Sequence, residues 1–279
     1  MKLNKRIVFI GSDSFIAKNV ISELSKYKYQ IIKINRRKVD LEKENLKSKL
    51  SKYIKDGDKI FFAAGRVPAK DEKMLLQNIK IIENFTLALD QIRISHFFYL
   101  SSDAVYSDSM KKLNEKSKTN PNSFHGLMHL TREAYIKKNY QNSKITIFRP
   151  TLVFGKDDPH NGYGPNKFLR LVKKNKDIVL FGNGEERRDH IYIKDLSKLI
   201  CRCINKNLDG EFNLSTGKIY SFFNIAKIFK SKYKKSNILF TKRVGKMPHN
   251  GYRAFNVKKL SLISKKIKFT SIENWVKSL

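Results

Sequence analysis

His125 and His129 stand four residues apart in a stretch with helical periodicity, so they share one helix face. An imidazole titrates near neutrality, which suits His125 to acid–base exchange. His-x-x-x-His is also a metal-ligand spacing. No third ligand stands in matching context, so no metal is expected. Ser102 and Asp103 close an apolar run that reads as a strand, at the end where parallel sheets bind ligands. Near the N-terminus Ile7–Ile10 reads as a strand, Gly11 as a tight turn, and Ile16, Val20 and Leu24 as one face of a helix. A helix start after a glycine turn offers N–H groups and a positive dipole end to a pyrophosphate. The three small positions are Gly11, Ser14 and Ala17, with Phe15 and Ile16 opening the helix. Taken alone, the stretch is equally an ordinary strand–turn–helix. A second strand, Tyr29–Ile34, ends in Asn35-Arg36-Arg37 with no acid. Arginine there suits the 2′-phosphate of NADP, whereas a solvated strand end is the rival reading.

The elements that position these residues alternate regularly. Val39-Asp40-Leu41 is expected as a short third strand with an acid in it, and Leu46, Leu50 and Tyr53 as part of a charged helix. Lys59–Ala64 reads as a strand closing at Ala63-Ala64-Gly65, small enough for a ligand to lie against the backbone. Helices are expected over about Asp71–Gln91 and Asn122–Asn139, and strands at Phe97–Leu100 and Ile145–Phe148. Six strands alternating with helices predict an α/β fold with a doubly wound parallel sheet. Beyond it lies a turn-rich loop, Asp157–Pro165, expected to be mobile, and then shorter elements, including a helix from Asn166. The expected division is residues 1–155 and a smaller lobe, 156–279, with a segment near 186–207 packing back on the first part.

The chain has 279 residues and a formal net charge of +33. Its lysines are spread along its length, without a basic tail or an aromatic-interleaved basic motif. No nucleic-acid partner is therefore expected, and weak attachment to an anionic membrane surface stays open as an alternative. No apolar run approaches membrane-spanning length. Met1–Arg6 runs directly into the first strand, so no signal peptide is expected. Cys201 and Cys203 are the only cysteines, and a cytoplasmic location is expected.

Several stretches, in order, resemble the extended short-chain dehydrogenase/reductase family, in its nucleotide-sugar branch of epimerases, dehydratases and reductases. Gly11-Ser-Asp-Ser14-Phe-Ile-Ala17 resembles Gly-x-x-Gly-Phe-Ile-Gly. Asp58–Gly65 is similar to the family's Ala-Ala strand, and Asn78 falls where an Asn opens the central helix. Leu100–Tyr106 resembles Ser-Ser-x-x-Val-Tyr, Arg149–Gly155 resembles Arg-Pro-x-x-Val-Tyr-Gly, and Phe212–Gly217 a late Asn-Leu-Gly-x-Gly. Phe181–Asp195 is the most specific match, and in the family its Arg-Asp pair supplies an arginine, here Arg188, to a nucleotide diphosphate.

The resemblance implies a Rossmann domain with a substrate-binding lobe, and NAD(P) as cofactor with NADP slightly favoured by Arg36. It places the cofactor on Gly11, Ser14, Phe15, Ile16, Arg36, Asp40, Ala63, Ala64, Gly65 and Asn78. It implies a nucleotide-sugar substrate meeting Asp103, Asn166 and Arg188, and a role in surface polysaccharide synthesis. A homodimer is compatible with it. The catalytic centre departs from the family's Tyr-Gly-x-Ser-Lys with a Glu four residues on. Aligning Gly126 and Glu133 places His125 at the tyrosine and His129 at the lysine. A shift by one would put Phe124 and Met128 there and lose both matches. Ser102, His125 and His129 are thus the catalytic candidates. The alternatives are histidines that only fill space, and a non-catalytic relative that binds the dinucleotide as a sensor or structural subunit.

Overall fold

The computed structural model describes residues 5–265 and 267–279. Met1–Asn4, on which the signal-peptide expectation partly rests, lie outside them. Strands and helices alternate from the start: β1 (Arg6–Ile10), α1 (Phe15–Leu24), β2 (Gln30–Ile34), α2 (Lys47–Leu50), β3 (Lys59–Phe62), α3 (Glu72–Ala88), β4 (His96–Leu100), α4 (Phe124–Asn139) and β5 (Lys144–Pro150). There follow β6 (Leu152–Phe154), α5 (Pro165–Lys173), β7 (Ile178–Phe181), β8 (Arg187–Tyr192), α6 (Ile193–Lys206), β9 (Gly210–Leu214), β10 (Ile219–Ser221), α7 (Phe222–Lys232), β11 (Ile238–Thr241) and β12 (Tyr252–Arg253). The principal sheet runs β2-β1-β3-β4-β5-β9, and the pairings across β1 to β5 are parallel.

Side-chain parity explains this sheet. The strands are apolar on both faces, as parallel strands covered on both sides must be. Val8, Ile10, Ile60, Phe62, Phe97, Tyr99 and Ile147 share one core with Ile81, Ile82 and Phe85 of α3 and Ile136 of α4. Residues of opposite parity, Phe9, Phe61, Phe98 and Phe148, stack ring on ring, with centroids 4.7–6.3 Å apart. Each such fully buried ring contributes about 1.5–3 kcal/mol.

The expected strand Val39–Leu41 is not one. Val39 and Leu41 are buried at 3% and 6% exposure, but as plugs from a loop into the β1–α3 core. The Val39 N–H bonds the Asn35 carbonyl, and Asp40 caps the Glu42 N–H, so a turn takes the groups a strand would pair. The sixth strand is β9, contributed from beyond residue 209. The charged helix expected around Leu46–Tyr53 shrinks to the single turn α2.

The chain divides into two compact units. The first holds residues 5–107, Lys116–Pro150 and Ser197–Phe212. The second holds Asp108–Glu115, Thr151–Leu196 and Asn213–Leu279. In the second unit β8 pairs with β10 antiparallel and with β6 and β12 in parallel, while β7 pairs with β11. Its core gathers Phe154, Phe168, Phe222, Phe229 and Trp275. Among the described residues no helix is long and apolar enough to cross a membrane.

Candidate functional site

At the carboxyl ends of β1, β2 and β3 the first unit opens a cavity of about 620 Å³. Gly11 makes its floor possible. Its φ is +79°, and a Cβ there would lie 2.6 Å from the Ala64 nitrogen, so only glycine lets β1 turn this close to β3. Ser14 caps α1, its hydroxyl accepting the Ala17 N–H at 3.2 Å. The N–H groups of Phe15 and Ile16 have no partner among the described residues. They are the first two donors of a ten-residue helix, an arrangement that fits an anion. Of the residues expected at a cofactor, Gly11, Ser14, Arg36, Asp40, Ala63, Ala64 and Gly65 line the cavity, whereas Phe15 and Ile16 do not.

Charged residues cross the cavity mouth. Arg66 forks onto Glu42, with Nε to Oε1 at 2.7 Å and Nη2 to Oε2 at 2.9 Å. Arg36 lies 3.5 Å from Asp40 and 3.3 Å from Glu42. Glu42 and Arg66 carry no signal in the sequence, because their pairing spans 24 residues. Asn78 does not line the cavity. Its amide is taken by both backbone groups of Arg66 and by the Met74 carbonyl, so it fixes the loop that follows β3.

The histidines sit on α4, in the same unit. Ser123 caps this helix, and Gly126 lets it pass the Asp103–Val105 turn, where a Cβ would meet the Ala104 carbonyl oxygen at 2.2 Å. The His125 and His129 ring centroids are 4.7 Å apart at 83°. His125 Nδ1 accepts the Ala69 N–H at 3.4 Å. His129 Nδ1 lies 2.8 Å from the Tyr99 hydroxyl. Burial, with His125 and Arg132 nearby, holds the His129 pKa well below its usual value, so that ring is neutral. Ser102 caps the Asp103–Val105 turn, its hydroxyl accepting the Ala104 N–H at 3.2 Å and lying 3.5 Å from the Asp103 carboxylate. Beneath it Glu133 takes the Ser101 hydroxyl at 2.6 Å and two N–H groups of Arg149, which also donates to Tyr106. That buried network fixes the strand end on which Ser102 stands.

The second unit holds its own cluster. Arg188 Nη1 donates to Glu186 Oε1 at 3.0 Å, and Arg243 approaches the other Glu186 oxygen at 3.9 Å. Burial raises the Glu186 pKa against the pull of both arginines. The Nε atoms of Arg188 and Arg243 are buried and without a partner among the described residues, which fits an anion that accepts hydrogen bonds from their N–H groups. Arg243 is one more basic residue among 58 in the sequence, and only its Val-Gly context distinguishes it. Asn166 does not join this cluster. It ties Gly155, Val153 and Asp158 together at the start of α5. Arg170 bonds the carbonyls of Asp158 and His160, a second tie on the loop expected to be mobile. Among the described residues no group of three metal-ligand side chains forms.

Comparison with known proteins places the fold and the family. The human dTDP-D-glucose 4,6-dehydratase is 25% identical over 154 residues, covering 54% of this chain and 44% of that enzyme, so the chain matches under half of that relative. A Bacillus subtilis (strain 168) protein described as an uncharacterized UDP-glucose epimerase is 24% identical over 275 residues, 88% of this chain and 81% of that one. Among solved structures, UDP-glucuronic acid 4-epimerase from Bacillus cereus, in complex with UDP-glucuronic acid and NAD, superposes with a TM-score of 0.82 at 19% identity. It covers 98% of this chain and 96% of its own. The family model for the NAD dependent epimerase/dehydratase family matches residues 7–215, and the chain belongs to that family.

Proposed function

We propose that this protein is a nicotinamide-dinucleotide-dependent enzyme that epimerises, dehydrates or reduces a nucleoside diphosphate sugar. The observation that carries this reading is the cavity at the start of α1, with Gly11 against Ala64 and two unpartnered helix N–H groups. Gly11, Ser14, Phe15 and Ile16 would hold the pyrophosphate, and the Arg36–Asp40 edge the adenosine ribose. The bound dinucleotide would supply a hydride acceptor and donor. Arg188 and Arg243 would hold the substrate diphosphate, the role that their unpartnered Nε groups support. His125 would exchange a proton with a sugar hydroxyl, and Ser102 would orient that hydroxyl. His129, neutral and tied to Tyr99, would act as a hydrogen-bond donor and not as a base. The B. cereus relative, which holds UDP-glucuronic acid and NAD, supports this ligand class. A supply role in surface polysaccharide synthesis belongs to the same reading.

Histidine in place of the family's tyrosine and lysine at positions 125 and 129 of α4 favours one second reading, a relative that binds both ligands without turnover. Thermal shift with NAD and a panel of UDP- and TDP-sugars, followed by a turnover assay, separates the two. We expect NAD and one nucleotide sugar each to raise the melting temperature. Arg188→Ala and Arg243→Ala should each weaken sugar-nucleotide binding at least about tenfold, the worth of a charge-assisted bond, and leave NAD binding intact. No shift with any nucleotide sugar would sink the substrate assignment.

A further inference from the structure

Glu186 is the residue just before β8, and it is 5% exposed. Arg188 and His190 follow it at two-residue spacing, on the same side of the strand. Arg188 Nη1 donates to one carboxylate oxygen at 3.0 Å, and Arg243 Nη1 stands 3.9 Å from the other. The charged and titratable groups that face this carboxylate are Arg188 on β8, Arg243 in the loop after β11, Glu185 on the turn before it, and Tyr163 just before α5. His190 lies against Arg188 on the same strand. From α7 the Phe222 N–H bonds the Glu186 carbonyl at 3.2 Å. With its backbone pinned and its side chain buried, the carboxylate has no open solvent to swing into.

Two guanidinium charges thus meet one carboxylate charge. The Nε atoms of both arginines are buried and have no partner among the described residues. Their N–H groups call for more acceptor than Glu186 supplies. A nucleotide-sugar diphosphate carries one negative charge on each phosphate. Seated on the free Nε groups, it brings three negative charges against two positive ones, with a buried carboxylate beside a phosphate. A proton on Glu186 removes that excess. Burial already pushes the Glu186 pKa up, against the pull of both arginines, and a second anion close by pushes it the same way. Once protonated, Glu186 has an O–H to donate to a phosphate oxygen.

We propose that Glu186 is a resident counter-ion, which pairs with Arg188 and Arg243 in the free protein and takes up a proton when a diphosphate binds. It is a positioning residue, and it admits the two charges of the substrate only together with that proton. The proposal rests on the diphosphate reading of the two arginines given above. The direction of the pH dependence follows from linkage. The bound protein keeps Glu186 protonated to higher pH than the free protein does. Between those two pKa values the bound state carries the extra proton, so affinity rises as pH falls through the interval and levels off below it.

Calorimetry on the full chain with UDP-glucose and with dTDP-glucose tests this. The phosphates of both ligands lack the second ionisation, near about pH 6, of a terminal phosphate, so the ligands add no proton of their own. Titrations in two buffers of different ionisation heat count the protons taken up. We expect net uptake, and affinity at least about tenfold higher at about pH 5.5 than at about pH 8, the worth of a one-unit rise in the Glu186 pKa. Glu186→Gln keeps the shape and an acceptor for Arg188 but cannot titrate. It should bind without proton uptake, with affinity flat over that range and at least about tenfold above the parent's at about pH 8. Glu185→Gln should keep the parent's uptake. If Glu186→Gln does not fold, uptake by the parent and by Glu185→Gln decides. A parent that binds without uptake, uptake that persists in Glu186→Gln, weaker binding in that variant, or loss of uptake in Glu185→Gln would each overturn the proposal and leave the diphosphate reading standing. Parent and Glu186→Gln proteins that bind neither ligand at any pH would overturn both.

Discussion

Arg36 has 59% of its side chain exposed and shares its charge with Asp40 and Glu42. A 2′-phosphate would have to draw it from both acids, and the same acids would repel the phosphate. For so exposed a pair the gain is about 0.2–1 kcal/mol. We therefore expect NADP to bind no more than about fivefold tighter than NAD. Arg36→Ala should remove that margin and Glu42→Gln should widen it, each measured by calorimetry with both cofactors. Equal affinities, unchanged in Arg36→Ala, would end the case for NADP. The sequence made Arg36 visible because the residue after a strand end is a local fact. It left Glu42, Arg66, Tyr99, Arg132 and Arg243 dark for a physical reason. Each acts through a partner far along the chain, and in so basic a sequence an isolated arginine reads as solvated. Arg132 alone left a trace, as a charge on the stripe Met128, His129, Arg132, Glu133 and Ile136 that α4 buries.

Helix α4 depends on one missing side chain. Gly126→Ala would raise helix propensity by about 1 kcal/mol. The added Cβ, however, would stand 2.2 Å from the Ala104 carbonyl oxygen and 2.5 Å from Pro121 Cβ. The first of these is backbone and cannot rotate aside, so the clash outweighs the propensity. We expect a net loss of about 1–3 kcal/mol in urea unfolding, because overpacking moves backbone. Leu127→Ala, 42% exposed on the next position, should stay within about 0.5 kcal/mol. Equal stability in both variants would show that α4 can slide off the Asp103–Val105 turn, and its histidines with it. Strands and helices of this kind were legible because their apolar periodicity is written locally. Val39–Leu41 has the same alternating pattern as a strand, and nothing local says that its neighbour β2 ends the sheet. The other edge strand, β9, lies in sequence more than 55 residues after β5 begins, and no pattern near β5 announces it.

Three buried histidines in the two units give the whole molecule a pH dependence. Burial lowers His96 to about 4 and His190 to about 3, and holds His129 well below its usual value. His96 sits between Asn207 and Thr146 at 2.9 and 2.7 Å, and His190 between Gly164 and the Arg188 carbonyl. Unfolded, each ring takes a proton near pH 6.5. Folded, it does not until far lower pH. Between about pH 6.5 and about pH 4 the unfolded chain thus binds more protons, and stability must fall as pH falls. The contribution of these rings is complete above about pH 6.5 and is lost progressively through the folded values. For His96 alone a depression from 6.5 to about 4 corresponds to about 3 kcal/mol. Acid also protonates carboxylates on a chain already at +33, so self-repulsion runs in the same direction. A variant isolates the histidine share. His96→Asn keeps a polar side chain but no titration in this window. Its unfolding free energy, followed by urea denaturation from about pH 7 to about pH 4, should fall less steeply than the parent's by about 1.4 kcal/mol per pH unit, one proton's worth. Parallel curves would mean that His96 is already charged in the fold, and that acid acts here through the surface charge alone.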